Sequence, residues 1–161
     1  MTTLINNPLA AFGRTADQDG AGQAVVAEFR AVTSIAKGQL VAVTVSNHVL
    51  TVAAATSATD NVVGVAQESV TGSSGRPVPV KVVVLGPAQA QTADADIDVG
   101  DWVSATTAGR YAKAVTASIS DANAKAVGFV LEKTAAADDD AGDLKWIYVS
   151  PSLVASEDSA A

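Results

Sequence analysis

Ile35-Ala36-Lys37-Gly38-Gln39-Leu40-Val41 and Ile97-Asp98-Val99-Gly100-Asp101-Trp102-Val103 are one phrase, Ile-x-x-Gly-x-x-Val, written twice. Their glycines are 62 residues apart (100 − 38). A second phrase follows each copy: Val62-Val63-Gly64-Val65-Ala66-Gln67-Glu68, then Ala126-Val127-Gly128-Phe129-Val130-Leu131-Glu132. Here the offset is 64 (128 − 64), so the second copy carries two extra residues. Anchors that recur in one order at nearly one offset point to an internal duplication.

The unit that is duplicated reads as β-structure. Val25, Ala27, Phe29 and Ala31 alternate with Glu28 and Arg30, the pattern of a half-buried strand. Val41, Val43 and Val45 share a face of the next run, and Ser46, Asn47 and His48 turn it into a hairpin partner over 49–53. Pro77 and Pro79 remove donors from one edge of the strand that continues through Val80, Val82 and Val84. That strand can therefore begin only at a sheet edge. Gly86 and Pro87 are expected to bend it. In the second copy, Thr107, Ala108 and Gly109 make the hairpin connection, and Trp146, Ile147, Tyr148 and Val149 close the chain's last strand. Most runs span a handful of residues between Gly, Pro, Asn, Asp or Ser. The expected fold is all-β, a small barrel or sandwich of two similar units. At most one short helix is expected, near 117–125. The domain plan is an arm over 1–22, a β domain over 23–150 with halves at about 23–79 and 80–150, and a polar tail over 151–161.

Composition narrows the function classes. Hydrophobic residues make up 48% of the 161-residue chain but aromatics only 4%, so the core must be built from Val, Ala, Leu and Ile. The net charge is −7, and the 10 Lys and Arg are scattered. No basic stripe is available to replace phosphate counterions, so no nucleic-acid partner is expected. With no Cys, disulfides and thiolate metal sites are excluded. Residues 1–22 show no signal-peptide pattern, and no apolar run approaches a membrane span. Neither a membrane partner nor a cofactor is expected. The arm does carry Leu4, Ile5, Leu9 and Phe12, more apolar surface than a solvated tail needs.

Catalytic sets are hard to find. His48 is the single His and falls in a turn, without a nucleophile or orienting group in its motif. Gly72-Ser73-Ser74-Gly75 lacks the spacing of a nucleophile elbow. Asp138-Asp139-Asp140-Ala141-Gly142-Asp143 has the density of a calcium loop but not its spacing, so a solvated hairpin loop is expected and no metal. Glu68 and Glu132 hold equivalent places in the two copies, either as an acid–base pair or as repeated surface positions. Trp102, Trp146, Tyr111 and Tyr148 fall on strands, where core or interface packing is the default. A biotinyl or lipoyl carrier is also a duplicated β unit, but it needs Lys at a hairpin tip, and both tips here lack one. The turn glycines Gly38, Gly64, Gly100 and Gly128 read as scaffold.

The order of elements resembles the capsid decoration, or cement, proteins of tailed bacteriophages. The resemblance runs through the Gly38 and Gly100 phrases, Val63-Gly64-Val65-Ala66, Val78-Pro79-Val80-Lys81-Val82, Ala126-Val127-Gly128-Phe129 and Trp146-Ile147-Tyr148-Val149, over roughly 23–150. Gln39 departs from it, because that place is more often acidic. The resemblance implies a non-enzymatic β protein on the outer capsid surface of the virion, made in the host cytoplasm. It implies a homotrimer whose partner is the major capsid protein, held by an arm through Leu4, Ile5, Leu9 and Phe12. Bridging capsid subunits to stabilise the shell is the first expected role. The alternative is a head-fibre base or adhesin-like display domain.

Overall fold

The computed structural model describes residues 24–46, 48–93, 96–114, 125–135 and 137–151. The arm, the expected helix near 117–125 and the tail beyond Pro151 lie outside the described residues, except Lys125.

The described fold is all-β. Its strands are β1 (Val25–Ala31), β2 (Leu40–Ser46), β3 (Val49–Ala54), β4 (Val62–Ala66), β5 (Val78–Gln91), β6 (Trp102–Ala105), β7 (Tyr111–Lys113), β8 (Ala126–Val130) and β9 (Leu144–Val149). A 3-10 turn, Thr107–Gly109, joins β6 to β7. The sheet order is β1-β3-β2-β4-β5-β9-β8-β6-β7. A β1–β5 pairing closes the first five strands into a ring. A parallel bridge between Thr92 and Tyr111 closes β5, β9, β8, β6 and β7 in the same way. Two small barrels thus share one strand. Residues 78–85 of β5 pair with β1, and residues 86–91 pair with β9. The handover falls at Gly86, a buried residue with φ 105.

The start of β5 behaves as its prolines require. Pro79 lies opposite Arg30 of β1, while β4 joins β5 only at Val82 and Val83. The donor-free edge is therefore left out of the ladder.

The duplication extends to individual hydrogen bonds. Gly38 N–H donates to Ala66 O and Gly100 N–H to Val130 O, both at 2.8 Å. Both glycines adopt positive φ, 84 and 91, which makes the turn tight enough for that bond. The register slips in β2 between Val41 and Ala42 and in β6 between Val103 and Ser104, a bulge opposite the Gly64 and Gly128 strands. A Cβ on Gly64 would lie 1.9 Å from Val83 O, and one on Gly128 would lie 1.9 Å from Tyr148 O. Only glycine permits these two strand approaches.

Each barrel has its own interior. The first packs Ala31, Ile35, Val41, Val52, Ala66, Val80 and Val82, with Phe29 partly buried against them. The second packs Ile97, Val103, Tyr111, Val130, Ile147 and their neighbours. Bulk is exchanged between equivalent places. Phe29 on β1 packs against the cluster that contains Val52 in the first barrel, whereas Ala90 on β5 accompanies Tyr111 in the second. The larger cluster also contains Leu40, Ala42, Val65 and Val83, which belong to the outside of the first barrel. The two barrels are thus fused along an apolar joint.

Candidate interaction surface

The Ile-x-x-Gly-x-x-Val turns are closed by side chains. Gln39 Oε1 accepts the Ala36 N–H at 2.8 Å, and Asp101 Oδ2 accepts the Asp98 N–H at 3.1 Å. The departure at Gln39 has a physical reason. Its amide keeps the acceptor and adds a donor, and Nε2 donates to Ala108 O of the second barrel at 2.8 Å. A carboxylate could not make that second bond.

The acidic candidates serve the backbone. Glu68 Oε1 accepts the Lys81 N–H at 3.2 Å, and Glu132 Oε2 accepts the Trp146 N–H at 3.1 Å. These positions are equivalent, and each carboxylate caps a strand donor. In the acidic loop, Asp139 accepts the Ala135 N–H at 2.8 Å and pairs with Lys145 at 2.8 Å. The Lys145 ammonium and that N–H hold the Asp139 carboxyl below its usual range. Asp143 accepts the Asp140 N–H at 2.9 Å. Among the described residues no cluster of His, Asp and Glu could hold a metal ion. His48 sits exposed at the β2–β3 turn with φ 63. The small cleft between the barrels, lined by Val43, Val62, Lys125 and Ala126 among others, encloses about 160 Å³. Small-molecule sites run to roughly 300–1,000 Å³.

The prominent surface feature is a row of side chains that crosses the second barrel from strand to strand. Trp102 lies opposite Phe129, Phe129 opposite Tyr148, and Tyr148 opposite Pro87. Trp102 meets Phe129 edge to face with centroids 5.8 Å apart, and Phe129 stacks on Tyr148 at 5.2 Å. Trp102 is 50% exposed, and Val99 on the adjoining turn is 64% exposed. Charge pairs flank the row: Asp101 with Lys113 at 2.6 Å and Asp98 with Lys133 at 3.0 Å. Hydrogen bonds from Lys113 and from the Asp98 N–H hold the Asp101 carboxyl below its usual range.

The structure therefore separates the strand aromatics. Tyr111 is fully buried, and burial pushes its phenol up to about 12. Trp102 and Tyr148 belong to the surface row. Phe129 was missed as a surface residue, although comparing the two copies signals it. Leu40, Val65 and Val83 of the first copy become Trp102, Phe129 and Tyr148 in the second. The arm residues Leu4, Ile5, Leu9 and Phe12 lie outside the described residues.

No family model matches the chain, and no curated protein matches it. Among solved structures it shares its fold with the N base of the head fibre protein gp8.5 of bacteriophage phi29. The match has a TM-score of 0.57 at 19% identity and covers 80% of this chain and 95% of that one.

Proposed function

We propose that the chain is a structural protein of a phage head, the base that seats a fibre or display domain on the outside of the shell. The fold shared with almost the whole of a phage head-fibre base carries this reading. The polar groups support it too, since Glu68, Glu132 and Asp139 serve the backbone and the exposed aromatic row is suited to contact. In this reading the protein is not an enzyme. The arm grips the major capsid protein through Leu4, Ile5, Leu9 and Phe12, as an added strand or an apolar anchor. The acidic exterior keeps the free protein soluble. Assembly as a trimer multiplies modest contacts with the shell.

Virions that lack the protein test the reading. Negative-stain and cryo-electron images should show intact, DNA-filled heads without surface projections. Immunogold against the protein should mark the heads of wild-type virions. Gold confined to tails, or absent from particles, would overturn the proposal. Heads that burst on mild heating would transfer the protein to the bridging, shell-stabilising role. Removing residues 1–20 should abolish attachment while leaving the β domain folded.

A further inference from the structure

The joint between the barrels has two halves. One is the outward row of the first barrel, Leu40, Val65 and Val83, which is buried to 2% or less. The other is second-barrel residues of the same buried cluster, such as Ala105 and Tyr111, together with the tip of the β6–β7 turn between them. Ala108 accepts the Gln39 side-chain amide, and Gly109 donates to Ala55 O at 2.7 Å. A Cβ on Gly109 would crowd Gln39 and the Leu40 carbonyl, so this tip lies directly over the start of β2. Gln91 N–H donates to Gly38 O at 2.8 Å, and Leu144 packs at Gly38, which seals the edge.

Each half has an uncovered counterpart elsewhere in the chain. The row equivalent to Leu40, Val65 and Val83 is Trp102, Phe129 and Tyr148, and Trp102 stands half out of the surface. Where Gly38 is packed against Leu144, nothing lies within 4 Å of the Cβ position of Gly100. The hairpin equivalent to the β6–β7 turn is the β2–β3 tip, which is longer. It presents Val45, Val49 and Leu50, exposed by 69%, 55% and 56%. Val45 lies opposite Leu50, so two of the three share one face. Three adjacent aliphatic side chains at a hairpin tip have no role in either core.

We propose that the chain associates with a second copy of itself head to tail, with the β2–β3 hairpin of one copy resting on the aromatic row of the next. This would repeat between chains the joint that exists within each chain. The chemistry fits an interface centre. Aliphatic groups lose water against aromatic faces, and the Asp101–Lys113 and Asp98–Lys133 pairs form a charged rim. Because plug and socket are different surfaces, the contact is heterologous. It closes into a ring when the rotation allows. The proposal gives an interface to the self-association in the phage-head reading, and its test in free solution is separate from attachment to a head.

Sedimentation velocity on the full chain decides it. The wild type should sediment as an oligomer that dissociates on dilution. Trp102→Glu and Leu50→Glu should each sediment as monomers with unchanged circular dichroism, and Val99→Glu serves as a second socket variant. An equimolar mixture of Trp102→Glu and Leu50→Glu should regain a dimer, because each supplies the intact half that the other lacks. A wild type that stays monomeric up to its solubility limit would overturn the proposal. Oligomers that survive both socket substitutions would also overturn it, and would leave the row to the chain's own residues 1–23 or to another protein. A mixture that stays monomeric would do the same, and so would a Leu50→Glu variant that stays oligomeric, because that would indicate a symmetric, row-on-row contact without the hairpin.

Discussion

Two outward rows of the same fold meet opposite fates in this molecule. Leu40, Val65 and Val83 are dry, whereas Trp102 stands half exposed and Phe129 and Tyr148 are only partly buried. Strand pairing is the same beneath both rows, down to the bulge and the glycine contact. What differs is the neighbour, since the second barrel covers the first row. Side-chain choice follows that difference. The covered row is compact and aliphatic. The open row is built from large, flat rings that retain a polar tip at Trp102 and Tyr148. The two turns tell the same story, because Gln39 carries the extra donor that reaches the second barrel and Asp101 does not.

The largest effect tests whether the barrels are equivalent inside. Gly64→Ala and Gly128→Ala should each cost more than ~3 kcal/mol, since a Cβ would sit against a backbone oxygen that cannot move aside. Chemical denaturation would measure both, and tolerance at either position would break the equivalence. The next test addresses the rows directly. Leu40→Ala should cost about 2–5 kcal/mol as a core deletion. Trp102→Ala should cost the monomer only about 1 kcal/mol, from its edge-to-face contact. Equal losses would mean that the second row is covered as well.

A smaller contrast lies in the turns. Gly100→Ala should cost about 1–2 kcal/mol for a left-handed backbone. Gly38→Ala should cost more, because its Cβ would also lie 2.2 Å from Leu144 Cδ2. Thermal melts of the two variants would rank them. The smallest effect concerns the interiors. Neither the Tyr111 hydroxyl nor the Thr92 hydroxyl completes a hydrogen bond of normal geometry. With the folded phenol raised to about 12 from an ordinary 10, the unfolded chain ionises first. Stability should therefore hold below pH 10 and fall as pH rises towards 12. Tyr111→Phe should flatten that fall and change stability at neutral pH by less than about 1 kcal/mol, because the lost hydroxyl had no full partner. The first barrel, with Val52 in the same place, contributes no such titration.

Much of the fold was legible because its signals are local. A turn glycine at a fixed place in a phrase, alternation along a strand and prolines on one edge depend on backbone geometry within a few residues. They disclosed the duplicated units, the hairpins and the edge start of β5. The equivalent repeat positions of Glu68 and Glu132 also needed only spacing, whereas the strand N–H groups that they accept are set by pairing between distant residues. The candidate surface was less legible. Trp102 and Tyr111 are both strand aromatics in the same copy, and pattern alone treats them alike, yet one is half exposed and the other is the largest fully buried side chain among the described residues.

The sequence by itself determined that there are two β units and where each turns, because those are steric facts of the local chain. The tertiary structure alone decided that β5 is shared at Gly86 and that the first unit's outward row is sealed while the second's stays open. Burial of an outward face depends on what packs over it, and here Leu40, Val65 and Val83 join one buried cluster with second-barrel residues such as Ala105, Tyr111 and Val149, while Gln91 at Gly38 and Ala108 at Gln39, some 50 to 70 residues away in the chain, hold the edge of the joint.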